Sequence, residues 1–195
     1  MIALTFYAIF MATVVAMPFI KDGYSPVDQT ISEGALGSYR WVQIIGFLAL
    51  AAGSLCVAGL IYSVRRASAG MAMTAAVIAF STVFTITLAI IPANGPAETT
   101  VGGRIHVAAA ALAFIIAIAG ILLASRTFRG HPALAPLASA SRIIGIASLA
   151  LLVVTGAGIE PAGVWQRATV GGELAWFIVV AGRLGVTSKR TDAIA

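Results

Sequence analysis

Charge is what this sequence has least of. Acidic and basic residues make up 10% of its 195 residues, against 60% hydrophobic, whereas a soluble domain carries about a quarter charged residues. That deficit, with a mean hydropathy of +1.02, excludes a chain whose main solvent is water. The single cysteine, Cys56, excludes an intramolecular disulfide and leaves the redox compartment unread. Histidine occurs only as His106 and His131. The apolar runs put these two on opposite sides, so paired axial haem ligation within the chain is excluded. No cluster of histidine, cysteine and acid has zinc-ligand spacing. A Walker loop, a dinucleotide fingerprint and a nucleophile elbow are all missing. No metal, cofactor or catalytic residue is therefore assigned. The net charge of +5 and pI near 10.0 do not mark a nucleic-acid binder, because the basic residues stand at the ends of apolar runs rather than clustered with aromatics.

What the sequence has is six apolar runs. A bilayer core about 30 Å thick takes about 20 helical residues, and candidate spans cover about 2–20, 41–63, 70–92, 105–126, 140–159 and 168–186. The sequence thus predicts an all-α fold, a six-transmembrane-helix bundle forming one integral membrane domain over residues 1–195. The first run lacks the basic flank and A-x-A site of a signal peptide and reads as a span. Arg65, Arg66, Arg126, Arg129, Arg142, Arg183, Lys189 and Arg190 fall on one side, against Lys21, Arg40, Arg104 and Arg167 on the other. That excess places the first side, with both N- and C-termini, in the cytoplasm of a multi-pass plasma-membrane protein. The outer face then carries Asp22, Asp28, Glu33, Glu98 and Glu160. The odd spans end outside with proline and then glycine (Pro18 and Gly23, Pro92 and Gly95, Pro161 and Gly163), which predicts turns. Gly46, Gly53 and Gly59, the alanines of the fourth span, and Gly156 and Gly158 predict close packing through small side chains.

The longest polar stretch is GYSPVDQTISEG, residues 23–34. Ser25-Pro26-Val27-Asp28 has the form of a helix start, and Gly34 and Gly37 offer stops. A short interfacial helix is expected at about 26–33 in the first external loop, with Val27 and Ile31 on one face. It either covers the bundle end or roofs a polar cavity. The second outer loop supplies Thr99, Thr100, Gly102, Gly103, Arg104, Ile105 and His106, and the third Glu160, Gln166 and Arg167. Tyr24, Tyr39 and Trp41 suit an aromatic belt. Glu173 lies about 9 Å deeper than Arg167 along a helix. A carboxylate at that depth is costly unless protonated, paired or facing water, and Arg104 or Arg167 offers a pair if the sixth span packs beside the fourth.

YSPVDQTISEG after the first span, GGRIH opening the fourth and GVWQR before the sixth resemble the bacterial and archaeal membrane-protein family catalogued as domain of unknown function 998. The resemblance covers essentially the whole chain. It implies a six-span protein with these polar motifs on one face, and it singles out Ser25, Asp28, Ser32, Glu33, His106, Gln166 and Arg167. The loop PANGPAETTV departs from the phenylalanine-proline-threonine-aspartate run of many members, and the family label implies no activity.

The expected site is an outer-face pocket drawn from Ser25, Asp28, Ser32, Glu33, Arg104, His106, Gln166, Arg167 and Glu173. Its expected ligand is a lipid headgroup or another amphipathic or anionic molecule, so membrane lipids are the expected partners. Three alternatives stand beside this expectation. One is a membrane-embedded enzyme acting on a lipid or lipid-linked substrate, with Asp28, Glu33 or Glu173 doing acid–base work beside His106. Another is a transporter that moves a proton on Glu173. The third is a structural subunit whose small-residue faces meet a membrane-protein partner or a second copy.

Overall fold

Each apolar run forms one helix: α1 (Ile2–Ile20), α2 (Arg40–Ser63), α3 (Ala69–Ile90), α4 (Val101–Thr127), α5 (Ala138–Gly156) and α6 (Ala162–Asp192). This computed structural model describes residues 2–64, 68–91, 93 and 100–192, with side chains up to residue 185. Arg65, Arg66, Pro92, Gly95, Glu98 and Thr99, and the side chains of Lys189 and Arg190, lie outside the described residues. All six helices are long and apolar enough to cross a membrane, and the described residues contain no strand.

Two helices begin earlier than hydropathy indicates. Thr100 caps α4, its Oγ1 accepting the Gly103 N–H at 3.0 Å, so GGRIH forms the first turns of a helix rather than a loop. Pro161 precedes α6, where its missing N–H removes no helical bond. The Glu160 carboxylate accepts the Ala162 N–H at 3.0 Å. Gln166 and Arg167 therefore stand on the first turns of α6, not in the third loop. Both starts are polar, and hydropathy alone does not separate a polar first turn from a loop.

The expected helix at 26–33 is replaced by two shorter turns. An α-type turn closes from Gln29 N–H to Ser25 C=O at 2.9 Å, and a 3-10 turn covers Ser32–Ala35. Val27 and Ile31 consequently part: Val27 is 50% exposed and Ile31 only 3%. Gly23 (φ +73°) and Gly37 (φ +79°) supply the left-handed turns on either side, a conformation glycine adopts at no steric cost. Gly163 does a different job from the turn expected of it. A Cβ there would lie 2.5–2.6 Å from the carbonyl oxygens of Pro26, Val27 and Gln29, so its bare Cα lets the loop settle onto α6.

Consecutive helices are neighbours, and α6 returns to contact α1 and α2 as well as α5. Contact between α6 and α4 is slight, so the fourth span is not the partner that would bring Arg104 to Glu173. Small residues seat the helices as expected of Gly46 and Gly53. A Cβ on Gly46 would strike Thr13 of α1, and one on Gly53 the Tyr7 ring. Gly59 and Gly156 meet nothing within 4 Å. Toward the α1 N-terminus the interior is tightly filled. Trp176 lies 5.1 Å from the Phe177 ring and stacks on Phe128 at 6.0 Å, and its Nε1–H donates to Ser141 Oγ at 2.7 Å. Large apolar side chains such as Phe19, Phe80, Ile90 and Val153 stand outward, which lipid tolerates and water would not.

A Cβ at residue 163 has backbone, not a flexible side chain, in its way. Gly163→Ala is expected to destabilise the protein by about 1–3 kcal/mol, the range for overpacking. Gly59→Ala, facing open space on α2, is expected to be neutral or slightly stabilising. Thermal unfolding of both variants in one detergent compares them.

Candidate functional site

The loop between α1 and α2 is built from two successive caps. Ser25 Oγ donates to the Asp28 carboxylate at 2.6 Å and accepts the Asp28 N–H at 3.3 Å, while Gln29 Oε1 accepts the Ser25 N–H at 2.8 Å. Then the pattern restarts. Glu33 Oε2 accepts from Thr30 N–H at 2.6 Å and from Thr30 Oγ1 at 2.8 Å, and Glu33 N–H reaches back to Thr30 Oγ1 at 3.4 Å. This reciprocal serine/threonine-to-glutamate arrangement is a capping box. A second cap five residues after the first is why no continuous helix forms.

Three anchors fix this loop to the start of α6. Val164 N–H donates to Val27 C=O at 3.1 Å. Ile31 N–H donates to Gln166 Oε1 at 2.7 Å. The Arg167 guanidinium donates through Nη1 to Gln29 C=O at 2.7 Å and Gly163 C=O at 3.1 Å, and through Nη2 to the Tyr24 hydroxyl at 2.5 Å. That hydroxyl donates onward to Thr30 C=O at 2.8 Å. Lys21 closes the other flank, its Nζ donating to Glu33 C=O at 2.7 Å. Lys21 and Arg167 both lie over the Tyr24 ring, at 5.6 and 5.7 Å, within cation–π range. Burial pushes the Tyr24 phenol above its ordinary value, with the Arg167 charge opposing. Partial burial holds the Lys21 ammonium below its ordinary value, against the pull of Glu33.

Two spaces lie beneath and beside the loop. The first, about 60 Å³, is interior and is bounded by α1, α2, α3, α4, α6 and the loop. Its polar lining comes from Ser32, Ser54, Ser81, Thr85, Gln166 and Glu173. The second, about 370 Å³, is a more open groove between α1 and α6. It is walled by apolar side chains such as Met11, Val14 and Phe19, and Arg167 lines it beside Pro26 and Ile31.

The expected site residues are therefore divided. Ser32, Gln166 and Glu173 meet at the interior cavity, and Arg167 faces the groove. Ser25, Asp28 and Glu33 shape the loop through the caps described above. Arg104 is exposed at the start of α4. His106 is buried, and its Nδ1 lies 2.6 Å from the Ile91 carbonyl oxygen. A carbonyl only accepts, so Nδ1 carries the proton, and the ring ties the end of α3 to α4. His106 Nε2 is buried with no hydrogen-bond partner, and no carboxylate is bonded to either nitrogen. Glu173 is 8% exposed and its Oε1 has no hydrogen-bond partner. The donors of Arg167 go elsewhere, so neither arginine forms the anticipated pair.

Sequence reasoning missed Tyr24 and Gln29 as partners of Arg167, and it missed Ser54, Ser81 and Thr85 inside the spans. Gln43 was also passed over, though a fully buried amide on α2 with neither atom partnered is unusual. A lone glutamine one turn inside an apolar run was the available signal.

A family profile described as "Protein of unknown function (DUF998)" matches residues 6–183. The chain belongs to that family. The match takes in all three polar motifs, from the first loop to the start of α6, and most of all six helices. No curated protein and no solved structure matches the chain.

Gln166→Leu keeps the size of the side chain but leaves the Ile31 N–H without its acceptor. It is expected to lower stability by about 1–3 kcal/mol, as for an orphaned buried donor, whereas Gln166→Glu retains an acceptor and is expected to lose less. Chemical unfolding of the two variants in matched detergent reads the difference.

Proposed function

We propose that this membrane protein binds an anionic lipid, with the acyl chain in the α1–α6 groove and the headgroup at Arg167. The observation that carries this reading is the groove itself: about 370 Å³ of apolar-walled space with Arg167 among its lining residues. Ligand sites commonly enclose about 300–1,000 Å³, so one chain segment fits. Arginine has five N–H donors in a planar fork suited to phosphate or carboxylate. Three of the five have protein acceptors, and all three acceptors are neutral. The cation thus keeps both its charge and donor capacity for a ligand. Lys21, over the same tyrosine ring, adds positive charge on the loop.

In this proposal the loop faces the extracytoplasmic side of the plasma membrane, a sidedness supported by the distribution of arginine and lysine. The enzyme reading has less support, because its acid–base pair needs a carboxylate beside His106 and that imidazole is bonded to a backbone carbonyl. A membrane-protein partner or a homo-oligomer would use the exposed apolar faces and is compatible with lipid in the groove.

Native mass spectrometry of the purified protein reads lipid retention directly. Arg167→Gln is expected to weaken retention of an anionic phospholipid about tenfold or more, since a charge-assisted hydrogen bond contributes about 1.5–3 kcal/mol. Arg104→Gln, at an exposed position outside the groove, is expected to retain lipid as the unaltered protein does. Val14→Trp, which fills the groove, is expected to lose it. Equal retention by all three variants contradicts the proposal.

A further inference from the structure

The interior cavity is a different site from the groove. We propose that it binds a small monovalent cation, a proton or Na⁺, on Glu173.

Size comes first. About 60 Å³ admits a few water-sized objects at about 10–15 Å³ each, which rules out a headgroup or metabolite. Charge comes second. Glu173 is more than nine-tenths buried, lines this space and has an unpartnered Oε1. A carboxylate within the membrane must be neutralised, paired or hydrated.

The surroundings offer no fixed counter-charge. Glu173 is the one titratable side chain among the described residues that line the cavity. There α1, α2, α3 and α4 present aromatic, aliphatic, alanine and hydroxyl side chains. On α6, Arg167 donates to Gln29, Gly163 and Tyr24. On α4, His106 turns to the Ile91 carbonyl. Tyr7 of α1 packs on Phe177 at 5.9 Å, and Ser148 of α5 faces Gly172.

The hydroxyls sharpen the choice of ligand. Ser81 Oγ–H donates to Ile78 C=O at 2.7 Å, and Thr85 Oγ1–H donates to Ser81 C=O at 3.3 Å. With their protons directed back along α3, these two groups have only lone pairs left to offer. Two such hydroxyls in one cavity with a carboxylate suit a species that brings positive charge or a donor: a protonated carboxyl, a hydronium, or a desolvated Na⁺ with oxygen ligands. An anion finds the wrong sign.

The cavity lies directly beneath the loop. Ile31, Ser32 and Gln166 line the cavity, while the interior toward the α1 N-terminus is filled by Trp176, Phe128, Ile61 and Leu134. The cavity therefore ends blind, which makes it a binding site rather than a path across the membrane.

The test uses the full chain in nanodiscs of neutral lipid. An apolar carbodiimide, which attaches to protonated carboxyls, is applied across pH, with NaCl or choline chloride, and the adduct is located by peptide mass. Labelling of Glu173 that declines as pH rises, and is lost in Glu173→Gln, is expected. Protection by Na⁺ but not choline identifies Na⁺ as a competing occupant, and equal labelling in both salts identifies the proton alone. Infrared difference spectra of the unaltered protein against Glu173→Gln cover the case in which the reagent cannot enter. A protonated-carboxyl band, or a carboxylate band that shifts on replacing choline with Na⁺, supports the site. An ionised Glu173 near neutral pH that is indifferent to Na⁺ overturns it.

Discussion

At the edge of a bilayer a polar loop must find partners for its backbone without the help of bulk water; this loop caps itself, and one guanidinium helps fasten it to α6. Arg167 reaches from the second turn of α6 to Gln29, to Gly163 on its own helix, and to Tyr24. Tyr24 passes the connection to Thr30, which opens the capping box closed by Glu33. The glycine at 163 is part of the same device, because without its open Cα the carbonyls of the loop do not come within reach. Neutral acceptors rather than a carboxylate hold the arginine. That choice leaves its charge uncancelled beside a groove in a chain with few charges, and it leaves Glu173 without a cationic neighbour two turns deeper.

The two spaces follow from this arrangement. Phe10, Ile31 and Val170 line both of them, so a single layer of side chains separates the membrane-facing groove from the interior cavity. One offers apolar walls with a cation on its lining, the other lone pairs with an acid. Opposite ligand chemistries thus sit back to back beneath the same loop. The aromatic packing around Trp176 and the filled interior around Ile61 and Phe128 close the far end and keep the helices in register.

The spans were legible because twenty apolar residues in a row have few other uses, and α1 falls at Ile2–Ile20 as read. The start of α6 was not legible from hydropathy. Its first turns are polar because they face the loop and not lipid, and Pro161 marks a helix start as readily as a turn. The loop misled for a related reason: Ser25 and Thr30 both carry genuine caps, and two caps so close cancel the helix that either predicts alone. Gln166 and Arg167 could be picked out as polar residues near an outer surface. Their joint hold on residues 24–31 could not, since contacts 135 and 138 residues apart in sequence leave no local pattern. The cavity hydroxyls were hidden likewise, because serine and threonine inside a span satisfy themselves on their own helix and look inert.

The first loop is a folded roof fastened to α6. Hydrogen exchange of the unaltered protein in nanodiscs addresses it through two amides, Ile31 and Val164, whose acceptors lie across that junction. Both are expected to exchange as slowly as amides in the adjoining helix, well behind an open surface loop. Exchange of both at the rate of an unstructured peptide would contradict it.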